Sequence, residues 1–221
     1  MKTILTLTLC LVFQMSYAQH LPWSAQSLKS GWERIYIANV GYIDMPNTME
    51  MPKGSYSRMM NHMYNRYEVV SPELVFQQKG LSTYSSGAFK KYGRVLLHTI
   101  DNPYGDYERL NFNIYSWTTA EKQEINNMLK QTTISDLNSI GHKLIYWYPT
   151  KLEKINGMSC IHVKYKRQMG NNPVVIVHQY YFQNVDVMNI LIISYRVNET
   201  TYWKPDFDRI LSSFRITNIK S

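Results

Sequence analysis

Two neighbouring stretches near the C-terminus, Val174–Gln183 and Val187–Arg196, are apolar on both of their alternating sides. In the first, Val174, Ile176, Tyr180 and Phe182 oppose Val175, Val177 and Tyr181. In the second, Met188, Ile190 and Ile192 oppose Val187, Leu191, Ile193 and Tyr195. Successive side chains of a strand point to opposite faces, so a strand apolar on both needs cover on both. The β-branched and aromatic residues favour strand over buried helix. The preceding stretch, Met158–Arg167, alternates instead, with Ile161, Val163 and Tyr165 against His162, Lys164 and Lys166. Turn residues at Gly170–Pro173 and Asn184–Asp186 join the three. The pattern predicts an antiparallel meander in the centre of a sheet. A helix over Pro205–Phe214 closes it, with Phe207, Ile210, Leu211 and Phe214 inward.

Upstream, the clearest helix follows Thr118, which forms a capping box with Glu121 and precedes an apolar stripe of Ile125, Met128 and Leu129. Ser135 and Gly141 bracket a turn, and Leu144–Tyr148 reads as a strand ended by Pro149. Further strands are expected over Ile35–Met45, Tyr67–Gln78 and Tyr92–Ile100. A short helix is expected through Arg58–Tyr64, capped by Ser55 or Ser57, and a loop over Asp101–Asp106. Strands and helices in this order make an α+β fold, an antiparallel sheet covered by helices.

The first 18 residues have the form of a cleaved export signal. Lys2 gives a positive start, Ile4–Phe13 is an apolar run, and Ser16-Tyr17-Ala18 offers small residues at a cleavage site. No later run approaches the ~20 apolar residues of a membrane span. Residues 19–34 read as an extended arm that Trp23 and Trp32 could pin, and residues 35–221 as one domain. Removal of the leader takes Cys10 with it and leaves Cys160 alone, so no internal disulfide is available. The location expected is secreted or periplasmic. The net charge of +8 is spread along the chain, with Lys90-Lys91 and Lys164-Lys166-Arg167 its only small clusters. Such scatter fits a solvated surface better than a dedicated nucleic-acid face, though a polyanion or membrane-surface binder stays open.

Three constellations are candidates for chemistry. Six methionines fall between Met45 and Met63, and a helix there places Met59, His62 and Met63 on one face. Thioethers suit Cu(I), while core filling is their ordinary use. Cys160, His162 and His178 could supply three zinc ligands if the turn near Gly170 brings the two histidines together; ordinary cross-strand packing is the alternative. Aromatic runs at Tyr146-Trp147-Tyr148, Tyr180-Tyr181 and Tyr202-Trp203 suit a stacking surface for sugar rings or a protein partner. The nucleophile elbow, His-Glu-x-x-His, phosphate-cradling loops and the dinucleotide fingerprint are missing from the sequence, and Asp106 and Glu108 form only a loop pair. Catalysis and a cofactor are therefore not expected.

A short strand into a proline turn at Gly41–Pro46, a late meander and a terminal helix running into Ser212-Ser213-Phe214 resemble the PsbP-like α/β sandwich. That group includes extrinsic photosystem II subunits. Gly41–Glu50 also resembles the start of uncharacterised exported bacterial proteins of that fold. The resemblance, over Ile35–Ile216, implies antiparallel sheets covered by helices and binding or assembly roles, with no catalytic residues to carry over. The expectation is a non-enzymatic module of the cell envelope that engages a protein or glycan through Tyr146, Trp147, Tyr202, Trp203 and Lys204.

Overall fold

The structure, a computed structural model, describes residues 23–59, 74–101 and 117–219. In chain order the strands are β1 (Trp23–Ser27), β2 (Trp32–Ile37), β3 (Gly41–Pro46), β4 (Met49–Glu50), β5 (Leu74–Gln78) and β6 (Gly93–Asp101). Helix α1 (Thr119–Ser139) follows, then β7 (His142–Trp147), β8 (Lys151–Ile155), β9 (Met158–Met169), β10 (Val175–Asn184) and β11 (Val187–Arg196). Helix α2 (Thr200–Ser213) and β12 (Arg215–Ile216) complete the chain. The described part of the 67–78 stretch is strand, and the expected 102–106 loop lies outside the described residues.

Two antiparallel sheets result. The larger runs β4-β5-β6-β11-β10-β9-β7, with β8 also pairing β9; the smaller runs β1-β2-β3-β12. The meander is central, as its doubly apolar strands require. Leu191, Ile193, Tyr195, Tyr180 and Phe182 join the main core with residues of the small sheet and α2. Val177, Ile161, Val163 and Tyr165 pack on the other face with Ile125, Leu129 and Leu137 of α1. The α+β architecture of helix-covered antiparallel sheets is therefore present.

Local chemistry explains most boundaries. The capping box forms as expected: Thr118 Oγ1 accepts from Glu121 N at 3.2 Å, and Thr118 N donates to Glu121 Oε2 at 2.7 Å. The helix then runs through Ser135, where a turn was expected, because Thr133 and Leu137 are buried on the same side as Ile125 and Leu129. The single strand expected over Ile35–Met45 is two. Asn39 takes a left-handed conformation at φ +61° and folds β2 back on β3. At Gly41 a Cβ would lie 2.0 Å from the Arg215 carbonyl oxygen, so only glycine lets β12 close the small sheet.

Residues 23–34, expected as an arm, contribute β1 and the start of β2, which pair from Trp23↔Ile37 to Ser27↔Glu33. Trp32 is buried beneath the Arg209 guanidinium, 4.0 Å from its ring centroid, whereas Trp23 is exposed. Helix α2 begins five residues before Pro205, which therefore sits inside it rather than in the first turn. Strand β8 was not anticipated, because only Leu152 and Ile155 of its five residues are apolar, and at odd spacing they face opposite sides of the sheet.

Trp203 is 1% exposed and stacks on Phe207, and a Cβ on Gly93 would meet its ring at 2.7 Å. It is the wedge that seats α2 on β6 and β11. Trp203→Ala is expected to cost about 3–5 kcal/mol in urea unfolding, and Thr118→Ala only about 1 kcal/mol.

Candidate functional site

On the sheet face that carries α2, a strip between that helix and the β7 edge is polar and aromatic rather than aliphatic. Register sets its membership. Tyr146 pairs with Lys166, and Lys166 with Ile176. His178 pairs with Lys164, and Tyr180 with His162. Side chains two apart share a face, so His162, Lys164, Lys166, His178 and Tyr180 stand together. Tyr148 joins them, meeting Tyr146 edge-on at 4.7 Å, with the Lys164 ammonium 4.5 Å from its ring centroid. Tyr195 stacks near His178 at 6.2 Å and abuts Phe207 of α2. Lys204 and Asp208, an exposed pair one helical turn apart on α2, border the strip from above.

The histidines come together as the sequence allowed. His162 Nε2 and His178 Nδ1 are 3.1 Å apart. Their rings are nearly parallel (14°) with centroids 5.3 Å apart, so they meet edge to edge, whereas His162 and Tyr180 stack face on at 4.3 Å. The two nitrogen lone pairs therefore point at each other across a shared proton. A metal needs both to converge on a third point. Cys160 does not supply the third ligand. It is fully buried, and burial followed by the Glu153 charge pushes its thiol up to about 12, which makes it inert. Among the described residues, no group of three or more His, Cys, Asp or Glu is arranged to hold a metal ion.

The pair is instead a hydrogen-bond relay. Glu153 Oε2 lies 3.2 Å from His162 Nδ1, a charge contact at a buried nitrogen that has no aligned hydrogen bond. A carboxylate there favours the proton on Nδ1, so His162 Nε2 accepts from His178 Nδ1–H. His178 Nε2 is left as an acceptor with no hydrogen bond among the described residues. Burial, followed by the charges of His162, Lys164 and Lys204, lowers His178 to about 3, and burial outweighs Glu153 in lowering His162. Both rings are neutral at pH 7.

The aromatic candidates divide. Tyr146 is 53% exposed and belongs to the strip, and Lys204 borders it. Trp147 does not: it stacks on Tyr165 on the opposite face and donates through Nε1 to Asn126 Oδ1 of α1 at 2.9 Å. Trp203 is core, and its Nε1 donates to Glu199 Oε2 at 3.1 Å. Tyr202 is exposed but turned towards Lys91, whose ammonium sits 3.3 Å from its ring centroid. Trp203 overlies Gly93, four strands from Tyr146, so those candidates are separated by roughly 19 Å at about 4.8 Å per strand. Of the methionines, Met45 and Met49 are core, Met51 packs against it and Met59 is exposed; Met60, His62 and Met63 lie outside the described residues, as do Asp106 and Glu108. Sequence reading named Tyr148 within its aromatic run but missed Glu153, Lys164 and Tyr195 as strip members. Their alternate spacing was visible, but β8 and its pairing with β9 were not.

No family model matches the chain, and no curated protein sequence matches it. Solved structures do. The chain is similar over 93% of its length to the solution structure of cyanobacterial PsbP (CyanoP) from Synechocystis sp. PCC 6803, covering 98% of that chain at TM-score 0.45 and 12% identity. It is similar over 90% of its length to LpqN of Mycobacterium tuberculosis, a protein described as involved in cell envelope biogenesis, covering 92% of that chain at TM-score 0.43 and 11% identity. No functional residue is transferred at this identity.

Burial sets a pH dependence. The unfolded histidines protonate near pH 6.5, while folded His178 resists to about pH 3 and folded His98 and His142 to about pH 4. The unfolded chain therefore binds more protons below 6.5, and stability falls as pH drops from there. Each such histidine contributes a slope approaching ~1.4 kcal/mol per pH unit. Urea midpoints between pH 7 and 5 are expected to fall, and His178→Phe to flatten the slope by about one histidine's share.

Proposed function

We propose that the chain is an exported, non-enzymatic binding or assembly module of the cell envelope, and that it holds a ring-bearing ligand, a glycan in the first instance, on the strip between α2 and β7. The observation that carries this reading is the free acceptor His178 Nε2, set among Tyr148, Tyr195 and the flanking cations Lys164 and Lys204. A sugar ring offers an apolar face for stacking and hydroxyls that donate, which matches a tyrosine beside a neutral imidazole acceptor. Glu153 fixes the tautomer that presents the acceptor. The relay lacks a nucleophile, since the Cys160 thiol is buried and held protonated. This favours holding a ligand over turning it over.

Export rests on the leader-like residues 1–18, which lie outside the described structure. Among the described residues no helix is long and apolar enough to cross a membrane.

Oligosaccharides of β-linked glucose and of N-acetylglucosamine are the probes. Saturable retention is expected, about tenfold weaker in Tyr148→Ala and several-fold weaker in His178→Phe, which keeps the ring but removes the acceptor. Retention is expected to change little between about 50 and about 500 mM salt. A steep fall with salt would transfer the strip to a polyanion, and equal retention by Tyr148→Ala would remove it as the binding face.

A further inference from the structure

The opposite face of the large sheet carries a second polar cluster, unconnected with the strip. Arg167 lies one residue along β9 from Lys166 and so projects to the α1 side. Its Nη2 donates to the Tyr92 hydroxyl at 3.3 Å, and its Nη1 contacts the ring nitrogens of His142 at the start of β7. The Tyr92 hydroxyl lies 3.4 Å from Ser194 Oγ of β11. Arg94 of β6, the register partner of Ser194, has its guanidinium 5.7 Å from the Tyr92 ring centroid and donates to the Tyr56 hydroxyl at 3.4 Å. Gln77 of β5 pairs with Arg94 and shares its face. It is 0% exposed, and neither atom of its amide has a partner.

Arg167 differs from the arginines that hold an acid. Arg34 and Arg196 each hold a carboxylate, Asp44 and Glu199. Arg167, half-buried, holds a phenol and an imidazole instead. His142 adds no compensating charge of either sign, because burial and then Arg167 keep it neutral down to about pH 4. Burial pushes the Tyr92 phenol up, but the charges of Arg167 and Arg94 outweigh it and its pKa is lowered. A half-buried guanidinium with no carboxylate partner among the described residues is a costly arrangement for packing alone. It is an ordinary one for a site whose anion arrives from solution.

We propose that Arg167, Tyr92 and Ser194, with Arg94 alongside, form a binding site for a small tetrahedral oxyanion, a phosphate or sulfate group. The guanidinium fork of Arg167 faces two of its oxygens, and the Tyr92 and Ser194 hydroxyls donate to the others. Whether the group is free or borne on a sugar is a matter of source, not of recognition.

Calorimetric titration of the chain with inorganic phosphate and inorganic sulfate, in a buffer free of both, tests the site. One saturable site is expected in the millimolar range or tighter. Arg167→Gln should weaken it at least tenfold and Arg167→Lys partly, the fork being lost and the charge kept, while Lys122→Gln on exposed α1 leaves it unchanged. Bound phosphate should raise the titration midpoint of one tyrosine in ultraviolet difference spectra, a shift absent from Tyr92→Phe. Should Arg167→Gln fail to fold, Tyr92→Phe and Ser194→Ala carry the test, each expected to weaken binding several-fold. A tighter fit for glucose 6-phosphate than for inorganic phosphate supports the site with a sugar-borne group, and equal affinity supports it with the free anion. Absence of a saturable site, or undiminished binding in Arg167→Gln or in Tyr92→Phe, overturns it.

Discussion

Every layer of this protein answers to one demand: β10 and β11 are apolar on both faces, and neither face can be left in water. A strand row of this kind gains from burial in proportion to the area covered, at roughly 25 cal/mol per Å². The chain satisfies the two faces with different material. One face receives the small sheet and α2, drawn in through Trp203, Phe207, Ile210 and Phe214. The other receives α1, seated by Ile125, Leu129 and Leu137. The small sheet needs its own fastening, and Asp44 provides it. Its carboxylate accepts from Arg34 at 2.7 and 3.1 Å, while its backbone N–H donates to Ser213 Oγ at the end of α2. Cover on one side is thereby tied to the element that follows the meander in sequence.

The candidate strip exists because that cover stops short. Helix α2 shields β6 and β11 and part of β10, and among the described residues the remaining width of the sheet towards β7 has no second layer. Residues there must tolerate water on one side and protein on the other. Histidine, tyrosine and lysine do so by keeping an apolar body against the sheet and a polar tip outward. The Glu153–His162–His178 chain extends the same compromise inward, with His162 Nε2 and His178 Nδ1 answering each other and the Glu153 carboxylate beside His162 Nδ1.

How much of this could be read from the residues alone depends on where the physical signal is local. The meander and the Thr118–Glu121 cap rest on neighbours within a few residues, and both are present. The division of Ile35–Met45 depends on Asn39 adopting φ +61°, which asparagine tolerates but does not announce. The early start of α2 depends on Trp203 finding Gly93, about a hundred residues away in sequence. The same limit applies to the site. Side-chain parity placed His162 and His178 on one face, and the turn brought them into contact. It could not distinguish a shared proton from a shared metal, because that turns on ring orientation. Trp147 and Trp203 were drawn towards the surface by residue type, yet tertiary packing took both inward.

The long strand β9 has two partners in succession on its outer side, β7 along its later half and β8 along its earlier half, with Tyr148–Thr150 between them and an irregularity between Leu144 and Tyr146. An eight-stranded sheet with a straight rim would offer a continuous row of unspent amide and carbonyl groups to any other extended chain. Here the rim is cut into two short lengths out of step with each other, and Pro149 in the gap has no amide hydrogen to give. A foreign strand could follow either length for only a few residues. The same break that lets Tyr148 turn onto the lysine beside it also guards the molecule against zipping onto its own kind.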